Sequence, residues 1–573
     1  MKKLTLLLLA GFLLASCQKP SEPLIADIIL YNGDVYTLDV EEAHAEAIAI
    51  RAGRILLAGT NEEALSFKGD STETIDLKGA FVMPGFIEGH GHFSSLGSSL
   101  MNLNFMHARS WDEIVAMVAE RAKTARPGEW ITGRGWHQEK WEIPLDKEVQ
   151  GYPYHDKLSA VSPDNPVLLG HASGHSLIAN ARAMEAAGIT AETPNPFGGE
   201  IVRDSRGQAV GVFEETAMGL IHSAYEAYRA TLSPEQVKEE WRKGIDLAQE
   251  ECLRKGVTSF QDAGSSFQEI DDYTELAGSG RLGLRLWVMI AGSEEDLARK
   301  AAAFPRIGIG NNFLTVRAIK GYMDGALGSY GAWLLEPYSD KPDSYGQNTT
   351  PIDTLKQWAQ IAYDNGLQFC VHAIGDRGNR EVLNIFEEQF SKDPSKKSLR
   401  WRVEHAQHLH PDDIPRFAGL GVIASMQAIH CTSDAPFVEK RLGAWRSRAG
   451  AYAWRSLLDA GAHIANGTDT PVEDVDPLAC YYAAVTRKRA DDGSVFYPEQ
   501  CMTREEALYA YTLGNAYAAF EEDVKGSLEK GKVADITVLS NNLISCPEEA
   551  ILQADVLMTM VDGKVKFRSD KLK

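Results

Sequence analysis

Between Ala80 and Asp469 the chain sets short apolar runs against helix-length stretches. Eight such runs can be counted: Ala80–Ile87, Val257–Asp262, Leu284–Ile290, Val316–Lys320, Gln368–His372, Trp401–His405, Val422–Gln427 and His463–Asp469. Runs of this length suit buried strands, and their alternation with helical segments such as Asn379–Glu388 and Trp454–Asp459 is the signature of a parallel α/β fold. Eight alternating units fit a closed (β/α)8 barrel better than an open sheet. The expected architecture is therefore a TIM-like barrel over 81–524, with its chemistry at the C-terminal ends of the strands.

Those ends carry a consistent chemistry. His90 and His92 close the first run, Lys320 the fourth, His372 the fifth, His405 the sixth and Asp469 the eighth. Side chains alternate along a strand, so His90 and His92 point the same way and can share one ion. Gly89 and Gly91 leave the opposite face bare. Taken singly, each has a plain explanation: a hydrogen-bonded core histidine, or a rim salt bridge for Lys320. Together, four imidazoles and a carboxylate on one barrel rim form a nitrogen and oxygen set suited to Zn²⁺ or a similar divalent cation.

The connection from the first run to the second, 94–239, is too long for a loop and is expected to be an inserted subdomain that roofs the pocket and shapes specificity. Within it His175, in Ser173-Gly174-His175-Ser176, is a candidate for substrate contact, and Trp136 and Trp141 either wall a pocket or pack the insertion. Arg377 reads as a structural ion-pair residue, and His408 and His410 as solvated loop residues. The two chain ends, 25–80 and 525–573, are β-rich and each too short for a core, so they are expected to pack together as one small β-sandwich.

The net charge of −22 argues against nucleic acid or an anionic membrane face as partner. Lys2-Lys3 and the apolar run Leu4–Leu14 form a secretory signal pattern, and Leu14-Ala15-Ser16-Cys17 resembles the lipobox of bacterial lipoproteins. Residues 1–16 are then a signal peptide, Cys17 the lipidation site and 17–24 a tether. The expectation is an exported lipoprotein, held at a periplasmic or cell-surface membrane by its lipid alone. The seven cysteines show no C-x-x-C spacing, so neither a thiolate metal site nor a disulfide scaffold is signalled.

The chain resembles the amidohydrolase superfamily, specifically the Amidohydrolase_3 branch of YtcJ-like and N-substituted formamide deformylase-like proteins. The match rests on Pro84-Gly85-Phe86-Ile87-Glu88-Gly89-His90-Gly91-His92, Gly256-Val257-Thr258-Ser259, Asp324-Gly325-Ala326-Leu327-Gly328-Ser329, His372-Ala373-Ile374-Gly375-Asp376-Arg377, Val403-Glu404-His405-Ala406, Gly467-Thr468-Asp469-Thr470-Pro471 and Lys530-Gly531-Lys532-Val533-Ala534-Asp535. Glu88 departs from a common Asp and Thr468 from a common Ser. The resemblance implies that His90 and His92 bind one metal and His372 and His405 a second, bridged by a carboxylated Lys320. It also implies that Asp469 binds the first metal and shuttles protons. The implied function is hydrolysis of a non-peptide C–N bond, in an amide, N-acyl or N-formyl substrate, by metal-activated hydroxide. One or two divalent ions would serve, zinc by preference, and a homodimer is a family-level expectation. A deaminase acting on a cyclic amidine and a catalytically inactive lipid-anchored binding protein are the alternatives.

Overall fold

The computed structural model describes residues 24–105, 108–138, 141–171, 176–196, 199–328 and 330–572. Eight parallel strands follow one another around a nearly closed barrel: β1 (Phe86–Gly91), β2 (Val257–Ser265), β3 (Arg285–Ile290), β4 (Leu314–Tyr322), β5 (Gln368–Ala373), β6 (Arg402–His405), β7 (Ile423–Met426) and β8 (His463–Asn466). Each pairs with the next in sequence, and helices such as Ile352–Asp364 and Asp376–Lys392 lay apolar faces on the outside of the strands.

The seam between β1 and β8 is closed by a side chain, with no ladder between the two strands among the described residues. The Asn515 amide donates to Ile87 O (2.6 Å) and Asn466 O (2.7 Å) and accepts from the Asn466 N–H (3.1 Å), so one side chain substitutes for missing rungs. Gly89 makes room for it: a Cβ there would lie 2.5 Å from both Asn466 O and Asn515 Oδ1.

The apolar run Ala80–Ile87 is two strands in different sheets, and the expected single strand is corrected accordingly. Gly85 divides it, at a point where a Cβ would be 2.2 Å from the Thr258 side chain. Phe81–Pro84 lies between Asp34–Tyr36 and Ile536–Leu539, in a sheet that unites both chain ends. A second sheet, built from Ile28–Tyr31, Ala47–Arg51, Arg54–Gly59 and Glu73–Asp76, shares its core through Leu30, Ile48, Ile50, Val82 and Ile536. Arg285 on β3 reaches Asp535 (2.7 Å) and ties this unit to the barrel.

After His92 the chain enters the helix Phe93–Met101 and then a six-stranded sheet running from Leu103–Asn104 to Ala209–Glu215. Trp136 is fully buried in the core of this insertion, its indole N–H donating to Leu169 O (2.8 Å), and Trp141 packs on the same core. The return helix, Pro234–Arg254, opens with a Ser233/Gln236 capping box, so the insertion closes before 234 and the expected boundary at 239 falls inside the helix. This helix crosses Phe93–Met101 so closely that a Cβ on Gly97 would be 2.3 Å from Gly244 O.

Candidate metal centre

The C-terminal ends of β1, β5, β6 and β8 deliver their polar residues to one place. The rings of His90 and His405 are 4.7 Å apart between centroids, His372 and His405 4.4 Å, and His90 and His92 5.7 Å. Asp469 Oδ1 lies 3.5 Å from His90 Nε2 and 3.3 Å from His92 Nε2. Asp469 stands three residues beyond β8 with φ of 61°, and His405 ends β6 with φ of 75°. Both are left-handed conformations that a non-glycine residue adopts at a cost. Glu88 helps hold the first, because its buried carboxyl group accepts the Thr468 N–H (2.5 Å) and the Tyr511 O–H (3.1 Å).

A layer of partners fixes the rings. His90 Nδ1 meets Glu404 Oε2 at 2.5 Å, and Glu404 in turn pairs with Arg402 (2.7 Å), which also donates to Gly89 O, Gln261 and Ser425 inside the barrel. His405 Nδ1 meets Gln427 Oε1 at 2.7 Å. Asp324 Oδ1 faces His372 Nε2 at 3.7 Å, while the Asp324 carboxylate accepts the N–H groups of Trp333, Ile374 and Gly375. Outer partners of this type set the tautomer and direction of metal-binding imidazoles.

Protonation states suit a cation. Burial, with the Lys320 charge adding to it, pushes His90 down to about 4, and burial with neighbouring charge takes His372 and His405 well below the usual imidazole value. Neutral rings keep a lone pair to offer. Burial alone would raise the Asp469 carboxyl, but the His92 hydrogen bond and the surrounding imidazoles outweigh it and hold the group ionised. Burial likewise opposes ionisation of Glu404, and Arg402 and His90 overcome it. Lys320, 2% exposed on β4, is pulled below the usual lysine value by burial. The fit to a metal shows in what is left over: His90 Nε2 and Lys320 Nζ are both buried without a hydrogen-bond partner. Orphaned polar atoms converging in one site ask for a ligand.

His175 and Cys17 lie outside the described residues. Arg377 stacks on Trp333 (4.3 Å) and faces Glu381 (3.8 Å), a structural position. His410 is half-buried, whereas His408 is 2% exposed and corrects the reading of a solvated loop. His430 enters the cluster unannounced: ligand atoms of His405, His430 and Asp469 lie within 4.8 Å of one another, as do those of His90, His92 and Asp469. It stands on the short helix Ala428–Ser433 after β7, four residues beyond the strand end.

Fold and donor set together define a barrel protein with a divalent-cation site at the strand C-terminal ends. The chain belongs to the Amidohydrolase family, whose profile matches residues 73–567. It is 32% identical to Protein LONG AFTER FAR-RED 3 of Arabidopsis thaliana, over 95% of this chain and 92% of that one. It is 26% identical to the N-substituted formamide deformylase of Arthrobacter pascens, over 94% and 98% of the two chains. Among solved structures, an uncharacterized metal-dependent hydrolase from Pyrococcus furiosus superposes with a TM-score of 0.71 at 28% identity, covering 90% of this chain and all of that one.

Proposed function

We propose that this chain is a metal-dependent amidohydrolase that cleaves a non-peptide C–N bond in an N-acyl or N-formyl amine. The carrying observation is the convergence of His90, His92, His372, His405 and Asp469, with Lys320 buried within electrostatic reach of His90 and Asp469 and with His90 Nε2 and Lys320 Nζ left unpartnered. Support comes from two similar proteins, the Arthrobacter formamide deformylase and the Pyrococcus metal-dependent hydrolase.

In this reading His90 and His92 hold one ion, His372 and His405 a second, and Asp469 contributes to the first. Lys320, whose ammonium form burial disfavours, would add CO₂ to its neutral amine with loss of a proton, and the carbamate so formed would offer oxygen ligands. A divalent ion held there, zinc by the donor set, would supply Lewis acidity and lower the pKa of a water. Glu404 and Gln427 keep the His90 and His405 rings aimed. Asp469 Oδ1 takes the proton released by the attacking water and gives it to the leaving nitrogen.

Metal content of the chain truncated after Cys17 is the first test. About two divalent ions per chain support the bridged site, and about one supports a mononuclear site without the carbamate. Asp469→Asn should fold normally and lose roughly 10²- to 10⁴-fold in turnover of N-formyl or N-acyl amines. Unchanged turnover sinks the proton-shuttle role, and ammonia release in place of a carboxylic acid assigns the deaminase reading. We also propose that Cys17 carries the lipid that anchors the exported protein. Among the described residues no helix is long and apolar enough to cross a membrane. Cys17→Ala should move the protein from the membrane to the soluble fraction.

A further inference from the structure

His430 is buried, yet nothing in the metal assignment employs it. Its ring lies nearly parallel to His405, 17° apart with centroids at 6.3 Å, and both approach Asp469 within the same 4.8 Å group. The partners of the two imidazoles differ in a way that decides what each can do. Gln427 donates its Nε2 to Ser425 O (3.3 Å), which turns its oxygen toward His405 Nδ1 (2.7 Å). His405 therefore carries its proton on Nδ1 and keeps a lone pair on Nε2, the form of a metal ligand. At His430 the polarity is reversed: Gln407 presents its Nε2 donor to His430 Nδ1 at 2.9 Å. Nδ1 accepts, so the proton sits on Nε2, which is buried without a partner. A protonated ring nitrogen cannot ligate a cation.

We propose that His430 is an oxyanion donor, directing its Nε2–H at the substrate oxygen on which negative charge develops as the carbonyl carbon becomes tetrahedral. The donor is fixed before substrate arrives, beside the carboxylate that handles the proton, and a preset donor in a buried site is worth most where charge appears. No proton leaves His430; the hydrogen bond alone strengthens as the oxygen gains charge. This inference rests on the hydrolytic reading and adds to it a donor from the helix after β7, a strand that contributes nothing to the expected ligand set.

The test uses zinc-loaded mature chain, with His430→Asn, which withdraws the donor, and His430→Gln, which returns an N–H near the Nε2 position and guards against a folding defect. Zinc per chain is counted by plasma mass spectrometry. Affinity is measured calorimetrically for phenylphosphonate, a tetrahedral oxyanion, and for benzoate, a planar one. The expected result is unchanged zinc in both variants and a loss of about 10- to 100-fold in phenylphosphonate affinity for H430N. Benzoate should change by less than about 2-fold, and H430Q should recover part of the loss. Loss of an ion in H430N would make His430 a ligand and overturn the proposal. So would an H430N that binds phenylphosphonate like the wild type, or one that loses both probes equally. A wild type that turns over no N-formyl or N-acyl amine sinks the hydrolytic reading and the oxyanion role with it; a wild type that turns them over but binds no phosphonate overturns the donor alone.

Discussion

Replacing Arg402 with methionine removes a guanidinium that is fully buried inside the barrel and touches four neighbours: Glu404, Gly89 O, Gln261 and Ser425. Methionine fills much of the space but leaves the Glu404 charge without its cation. Breaking a buried ion pair from one side costs about 3–5 kcal/mol, and three further polar groups each lose a hydrogen bond worth about 1 kcal/mol. The single variant should therefore lose about 6 kcal/mol or more. Adding Glu404→Gln removes the stranded charge, keeps an acceptor for His90 Nδ1, and should return about 2 kcal/mol. A chain of several structural units does not license a single two-state free energy. The assay is therefore hydrogen exchange by mass spectrometry on metal-free protein, comparing peptides from β1 and β6 with peptides from the insertion as internal reference. A cost under about 1 kcal/mol, or a double variant less stable than Arg402→Met alone, would refute the account of Arg402 as the counter-charge that lets Glu404 sit behind His90.

Asn515→Ala deletes the three hydrogen bonds that span β1 and β8 and should cost about 2–4 kcal/mol, with exchange rising first in those two strands; equal protection in both proteins would show the seam closes without it. His408 is held neutral, pushed by burial and by Arg446 to about 3 from the usual 6.5. The unfolded chain therefore binds the extra proton between those values, and stability falls on acidification. At pH 5 this one group accounts for about 2 kcal/mol, a slope that His408→Phe should remove from the denaturant midpoints measured between pH 7 and 5; an unchanged slope would refute it. Stripping divalent ions with dipicolinate should lower the thermal midpoint and added zinc should restore it, by about 3 kcal/mol at a hundredfold excess over Kd; an indifferent midpoint would count against a resident metal.

The barrel was legible because its strands are unbroken apolar runs, each bounded by a change to helical periodicity. What that signal cannot show is where one apolar run changes sheets. Phe81–Pro84 and Phe86–Gly91 are equally apolar up to Ile87, and Gly85 marks the change only once the Thr258 side chain is known to fill the space beside it. The converging residues His90, His92, Lys320, His372, His405 and Asp469 were visible because each ends a strand-like run. Their supports were not, since Asp324, Glu404 and Gln427 act through contacts with rings carried by other parts of the chain. His430 lay beyond strand-end reasoning because it sits on a helix; the available hint was that β7 otherwise brought nothing to a rim its neighbours furnish. His408 looked solvated because a histidine between Gln407 and Leu409 carries no mark of burial, and only the packing of Tyr452 against it does.

The short strand Phe81–Pro84 has an implication for how the molecule comes into being. One of its two neighbours is Asp34–Tyr36, made before it; the other is Ile536–Leu539, made long after it. During translation the segment that leads into His90 therefore waits, one edge bare, until Ile536–Leu539 has emerged. A stop before Ile536 removes far more than a peripheral ornament: it deprives the first barrel strand of its anchorage, and the product should be cleared as misfolded.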